Sequence, residues 1–285
     1  EILASNIGGT ATLIGDPPNI MIGSAAGLSF ADFVMVDAPA AIVCLIVMIG
    51  LFYLLFGRKF KVDEEHKRAL MERDEREEIK NPTLLRQSVI MIILVTAGFM
   101  LHGSLGIESC VVALTAAGIL MLISGERIEE ALAHVEWTTL VFFAGLFIIV
   151  GALSEVGVIG MLAQALIDVT GGSTFVAMLV LLFASAIVSS FLDNIPFVAT
   201  MIPILLSMEA TGMDVMPLWW AVSLGACLGG NGTLIGASAN VVMSDISRKN
   251  GHVITFAHFF KVGFPTMLAT VAVSAIYLIV RFPPV

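Results

Sequence analysis

GACLGGNGTLIGASANVVM, residues 225–243, interrupts an apolar chain with glycines, small polar residues and two asparagines. Such a stretch ends helices rather than extending them, because glycine and short polar side chains favour turns and caps. It occurs twice. Residues 8–19, GGTATLIGDPPN, align with residues 229–240, GGNGTLIGASAN, at a shift of 221, and seven of twelve positions are identical. These are both glycines of the leading pair, then Thr12/Thr233, Leu13/Leu234, Ile14/Ile235, Gly15/Gly236 and Asn19/Asn240. After a five-residue insertion, SFADF (29–33) matches TFAHF (255–259), and Pro39 matches Pro265 ahead of an apolar run in each copy.

The solvent around these copies is lipid. Of 285 residues, 58% are hydrophobic and 13% charged, where soluble domains carry about 25% charged residues. The fold class expected is an all-α polytopic membrane protein. Runs long enough to span cover 38–56, 88–106, 108–124, 137–154 and 264–281. Residues 156–170 are shorter and suit the interface. Residues 173–208 read as a re-entrant hairpin, with Asp193-Asn194-Ile195-Pro196 near its tip. Residues 216–246 read as a helix broken at 229–240. The segment 57–87 is a charged linker holding nine of the fourteen Lys+Arg, with a solvated surface helix in EEHKRALMERDEREE. Residues 1–56 then close a first repeat, and residues 88–285 form a second. Glu1 stands where a methionine would, with a motif at the chain's edge, so an upstream part carrying a matching hairpin is expected outside this chain.

Lysine and arginine favour the cytoplasmic side, which puts loop 57–87 there. With the hairpin entering and leaving outside, the span after the first copy runs inward and the span after the second runs outward. Inverted repeats with a broken helix in each half point to a secondary transporter. If 173–208 crossed only once, the repeat would be parallel.

A break in a membrane helix frees carbonyls on one side and N–H groups on the other, and such backbone persists only in protein or beside a water-filled cavity. Carbonyls with Asn and Thr oxygens can take a cation, and a restarted helix offers its positive end to an anion. Asp16 suits an N-cap with Pro17 at the first helical position; it either caps alone or also serves the site. Ala237 replaces it in the second copy, where Ser238 is the expected cap. Asp193 is an acid within the hairpin, functional by default or a cap on the returning arm. The paired glycines either shape the breaks or let helices pack closely. Trp137, Trp219 and Trp220 suit membrane interfaces. Cys44, Cys110 and Cys227 have no metal or disulfide spacing, and no nucleophile–base pair or basic patch supports catalysis or nucleic-acid binding.

SNIGGTATLIGDPPN (5–19), DNIPFVATMIPIL (193–205) and WWAVSLGACLGGNGTLIGASANVV (219–242) resemble the ArsB/NhaD permease family, within the ion transporter superfamily that includes citrate transporter-like and P-protein members. The resemblance covers essentially the whole chain. It implies two inverted repeats in which hairpin tip and helix break together form the ion and substrate site. One such site would join Asp193 and Asn194 to Gly229, Gly230, Asn231, Thr233 and Asn240, with Asp193, Asn194 and Asn231 as candidate Na⁺ ligands. The other would use Ser5, Asn6, Gly8, Gly9, Thr10, Thr12, Asp16 and Asn19, with its hairpin upstream. Carboxylate carriers of the superfamily carry Ser-Asn-Thr at the hairpin tip; Asp193-Asn194-Ile195 departs from that and fits cation or proton exchange better.

The expected function is a secondary active ion transporter of the cytoplasmic (inner) membrane, not an enzyme. It needs no cofactor beyond a coupling ion, H⁺ or Na⁺. Substrates of this class are sodium in exchange for protons, arsenite or antimonite, or an inorganic or organic anion; a citrate- or dicarboxylate-like symporter is the alternative, and the Cys227 thiol weighs slightly towards arsenite. A passive channel and a non-transporting scaffold are the readings from other classes. The partners are a small ion and the lipid bilayer, with a homodimer among the assemblies allowed.

Overall fold

The computed structural model describes residues 1–57, 64–72, 79, 81–125 and 127–284. Every regular element among them is helical. In chain order these are α1 (Ile2–Thr10), α2 (Pro17–Ala26), α3 (Phe30–Phe56), α4 (Glu64–Met71), α5 (Pro82–Leu105), α6 (Ser109–Ser124), α7 (Ile128–Ala133), α8 (Trp137–Glu155), α9 (Val158–Thr170), α10 (Thr174–Phe191), α11 (Asn194–Ala210), α12 (Met216–Gly229), α13 (Ser238–Lys249) and α14 (Phe256–Arg281). Five are long and apolar enough to cross a membrane: α3, α5 over Pro82–Gly103, α8, α10 and α14. The expected span at 108–124 forms α6, which is apolar but only 16 residues long. Of the surface helix expected in the linker, α4 is described and 73–78 lies outside the described residues.

The chain divides into two compact units, residues 1–50 with 138–285, and residues 51–137. In the second unit, α5 and α6 form a helical hairpin around Gly106, whose φ of 63° ends α5 in the left-handed region. Gln87 near the start of α5 donates to the Ile123 carbonyl near the end of α6, so the two helices run antiparallel.

The first unit is built around α12, in which every residue from Pro217 to Gly229 is buried. Its small residues, Ala221, Ser223, Gly225, Ala226 and Gly229, let neighbouring helices approach closely. Trp219 and Trp220 therefore do not sit at an interface as expected: each is 2% exposed, and Trp220 meets the Phe33 ring edge-on at 5.1 Å. Trp137 is exposed.

Helices α10 and α12 run side by side in the same direction. A Cβ on Gly225 would lie 2.6 Å from the Leu182 carbonyl oxygen, and one on Gly229 would lie 2.7 Å from that of Ala186. The partner number rises with the residue number, which makes the pair parallel. Small residues four apart let backbones approach in this way. Only Leu192 and Asp193 separate α10 from α11, and Thr174 Oγ1 at the start of α10 donates to the Asp214 carbonyl just past the end of α11. The hairpin thus closes at its base. Its arms have 18 and 17 residues, so α10 alone is long enough to span.

The two copies of the repeat run antiparallel. Tyr277 Oη donates to the Val36 carbonyl, and Cys44 Sγ to that of Thr270, so rising numbers on α3 meet falling numbers on α14. Cys44 and Thr270 are equivalent positions after the five-residue insertion. A residue that touches its own repeat-mate marks a two-fold relation. Each copy's long helix also starts on the same device. Ser29 Oγ accepts from Asp32 N–H and Thr255 Oγ1 accepts from His258 N–H, which explains why SFADF and TFAHF look alike.

Candidate functional site: two interlocked helix breaks

The first break joins α1 to α2. Asn19, fully buried, spans it: Nδ2 donates to the carbonyls of Thr10 and Thr12 at 3.2 and 3.1 Å. The second joins α12 to α13, and Asn240 does the same, donating to the carbonyls of Gly230 and Thr233 at 2.7 and 2.9 Å. Thr10 closes α1 and Gly230 caps α12, so their carbonyls have no intrahelical donor, while those of Thr12 and Thr233 lie in the breaks, where each also accepts a turn N–H, from Gly15 and Gly236, at 3.2 Å. A serine of α10 serves another: Ser189 Oγ donates to Ala226 O at 2.7 Å, whereas Ser190 Oγ, 3.0 Å from Gly229 O, has its shorter bond to the Ala186 carbonyl of its own helix at 2.7 Å. Thr233 Oγ1 donates to the Ser190 carbonyl. The carbonyls expected to face a cation are thus held by amide and hydroxyl groups in this conformation.

The copies reach into each other. Asn6 Nδ2 donates to Asn240 Oδ1 at 2.8 Å and to Asn231 Oδ1 at 2.9 Å. Cys227, the repeat-mate of Asn6, donates through Sγ to Asn19 Oδ1 at 3.3 Å. Each copy therefore supplies a donor to the asparagine of the other. Asn231 Nδ2 closes the link on the Leu3 carbonyl at 3.3 Å.

Asp16 stands at the N-cap of α2 in an extended conformation (φ −141°, ψ 136°) with Pro17 following, but its side chain makes no cap bond. Asn194 Nδ2 donates to its Oδ2 instead, at 3.0 Å. Asn194 opens α11, which packs on α2 as well as α12. Asn194 therefore meets the first break, not the second site anticipated for it with Gly229 and Asn231. Asp193 is half-buried at the N-cap of α11, where Oδ1 accepts from Ile195 N–H at 3.2 Å. The three candidate Na⁺ ligands thus have separate partners: Asp193 its own helix start, Asn194 Asp16, and Asn231 Asn6. At the second break Ala237 occupies the N-cap and Ser238 is already the first helical residue, so the expected Ser238 cap does not form.

The glycines divide by role. Gly229 is a packing glycine against α10, whereas a Cβ on Gly8 would meet nothing within 4 Å. Gly9 and Gly230 shape the breaks: a Cβ there would lie 2.9 Å from Gly15 O and 3.3 Å from Gly236 O. Ser5 and Gly8 are exposed. Asn6, Thr10, Asn19, Asn231, Thr233 and Asn240 are buried together around the breaks, with Thr12 half-buried beside them.

Sequence reasoning missed Ser223 and Asp37. Ser223 Oγ lies 2.8 Å from Asn19 Oδ1 and 2.5 Å from Asp37 Oδ2. Both residues are 0% exposed. The signal for Asp37 was an acid in an apolar run, VMVDAPAAIV; the anticipated span began at residue 38, one position too late, because α3 starts at Phe30.

Antiparallel copies, two broken helices that exchange hydrogen bonds and a helical hairpin with its tip at the break define a polytopic helical membrane protein built on an internal repeat. The chain belongs to the citrate transporter family, whose model matches residues 1–225. It is 44% identical over 286 residues to an uncharacterized transporter of Mycobacterium bovis, covering 99% of this chain and 66% of the relative. It is 43% identical over 285 residues to a 46 kDa membrane protein of Mycobacterium leprae, with coverage of 99% and 66%. It is 32% identical over 363 residues to the mouse P protein, covering 98% of this chain and 43% of that protein. The chain thus spans about two thirds of the length of the bacterial relatives it matches.

Proposed function

We propose that this chain is part of a secondary active transporter of the cytoplasmic membrane that moves a small anion of the citrate class, coupled to H⁺ or Na⁺. The carrying observation is the reciprocal bonding of the two breaks, Asn6 to Asn240 and Cys227 to Asn19. Two antiparallel repeat copies joined through their unwound segments can rock about a shared midpoint, which alternating access requires. The family match supports the anion. The N-terminal end of α13, which no side chain caps, suits a carboxylate substrate. On this reading the lipid-facing α3 and α14 cross in opposite directions, with loop 57–87 cytoplasmic. Asp193 and Asn194 at the hairpin tip and the residues of both breaks form the transport site, and no enzymatic step is involved.

Exchange of a cation for protons, as in the ArsB/NhaD resemblance, is the second reading. It is favoured by Asp16 and Asp37 lying about the first break. Reconstitution of the full-length protein in sealed vesicles separates the two. Uphill uptake of labelled citrate, abolished by collapsing the ion gradient, is the expected result. Uphill Na⁺ or arsenite flux without citrate uptake would favour the second reading, and downhill-only flux would mean a channel.

A further inference from the structure

We propose that Asp37 is the proton-carrying group of this chain, and that Ser223 relays its protonation state to Asn19, the side chain that clamps the first helix break. Its part in coupling rests on the transport reading and deepens it by choosing H⁺ over Na⁺; its proton binding does not depend on that reading.

The hydrogen-bond network runs one proton short unless Asp37 carries it. The orientation of Asn19 is fixed, because its Nδ2 serves the carbonyls of Thr10 and Thr12, which can only accept. Its Oδ1 is therefore the acceptor facing Ser223 Oγ at 2.8 Å. The serine hydroxyl has one proton, and Asn19 Oδ1 takes it. The 2.5 Å contact between Ser223 Oγ and Asp37 Oδ2 then needs a proton of its own, which only Asp37 can supply. Asp37 Oδ1 has no hydrogen-bond partner among the described residues. A buried carboxylate with one bare oxygen is costly; a carboxylic acid donating from Oδ2 leaves only a neutral carbonyl oxygen bare and costs less.

The ionisable groups facing Asp37 do not offset a negative charge. On α12 there is Cys227, one turn beyond Ser223, and past it Asp16 of the first break. On α14 there is Tyr277, whose hydroxyl is committed to the Val36 carbonyl at 2.7 Å; Arg281, one turn further along, is exposed and forms no ion pair with Asp37. No salt bridge to Asp37 is present among the described residues.

Loss of the proton to water changes the network. The carboxylate draws the Ser223 hydroxyl proton to itself, and Asn19 Oδ1 keeps only the Cys227 thiol at 3.3 Å, a weak donor. The clamp across Thr10 and Thr12 loosens. Proton occupancy at Asp37 is thus wired to the unwound segment that the transport reading makes mobile. The second copy has no such device: the repeat-mates of Asp37 and Ser223 are Gly263 and Ile2.

The test uses the full-length protein in lipid, in two measurements. Infrared difference spectra across a pH titration should show the carbonyl stretch of a protonated carboxylic acid in the wild type. The band should be absent in D37N, shifted in S223A, and kept in S223T, which retains the hydroxyl. A titration in which D37N removes no band, or S223A leaves it unshifted, overturns the proposal. In vesicles, citrate uptake driven by a proton gradient should be lost in D37N and restored in part by D37E. Uphill uptake that persists in D37N overturns the coupling role. Absence of citrate uptake in the wild type counts against the transport reading, while the infrared band still decides whether Asp37 holds a proton.

Discussion

The two helix breaks share a sequence pattern and a hydrogen-bond pattern, yet they differ in charge. Around the second, Asn240, Ser189, Ser190 and Thr233 pair neutral groups with neutral groups. Around the first stand two acids, Asp16 and Asp37, joined to the network through Asn194 and Ser223. Duplication gives each copy the same backbone problem, orphaned carbonyls, and the same answer, an asparagine twelve residues into the motif. Divergence has then placed the ionisable chemistry in one copy. On the proposed transport reading, symmetry would serve the motion and asymmetry the ion.

Giving the two breaks equal charge should have the largest effect. A237D puts an acid at a position that is 6% exposed and packed beside Gly230. With no cation to pair it, the change should cost about 3–5 kcal/mol, seen as a collapse of the thermal unfolding midpoint of the full-length protein in detergent. A midpoint close to that of the wild type would mean the second break tolerates charge and the asymmetry is incidental.

Next is the pair of crossed donors. N6A strips Asn231 Oδ1 and Asn240 Oδ1 of a shared donor, at about 1–3 kcal/mol per orphaned oxygen. C227S at the mirror position keeps a donor towards Asn19, and its stability should stay within about 1 kcal/mol of the wild type. Equal losses in thermal shift assays would show that the two crossings carry equal weight.

The glycine pair Gly8/Gly229 gives a third contrast. G229A pushes a Cβ against the Ala186 backbone and should cost about 1–3 kcal/mol. G8A meets open space inside a helix and should gain about 0.5–1 kcal/mol. A similar loss at both positions would mean that Gly8 is packed by something beyond this chain.

The mildest change is D16N, which keeps an oxygen for Asn194 but removes the charge from a hydrogen bond, a loss of about 1 kcal/mol. Its sharper readout is transport: uptake should slow more in D16N than in N194A, which removes the donor and leaves the acid at the break. The reverse order would move the important group from the break to the hairpin tip.

Much of this was legible in the chain. The apolar composition made the class, and the pair GGTATLIGDPPN and GGNGTLIGASAN located both breaks. The tip at Asp193-Asn194 was found because an acid and an amide interrupt two apolar arms. Partner choice was not legible. Asn194 was assigned to the break that follows it in the chain, but the packing of α11 on α2 presents it to Asp16. Trp219 and Trp220 were read by residue type, and burial of α12 from Pro217 to Gly229 overrode that preference. Asp37 was overlooked because a sliding window of apolar residues starts after a charge, whereas the helix itself continues through it.

The sequence by itself determined that the chain lives in lipid, that it carries one motif twice, and where each helix must stop. Those are local matters, set by hydrophobicity and by the conformational habits of glycine, proline and asparagine. Only the tertiary structure decided which asparagine serves which carbonyl, that the copies cross antiparallel, and that Asp37 meets Asn19 through Ser223. The physical reason is the long reach of these contacts: Asn6 and Asn240 are 234 residues apart, and Ser223 and Asp37 are 186 apart. No local preference encodes such a pairing; it arises when α12 is buried and its few polar groups must find partners inside.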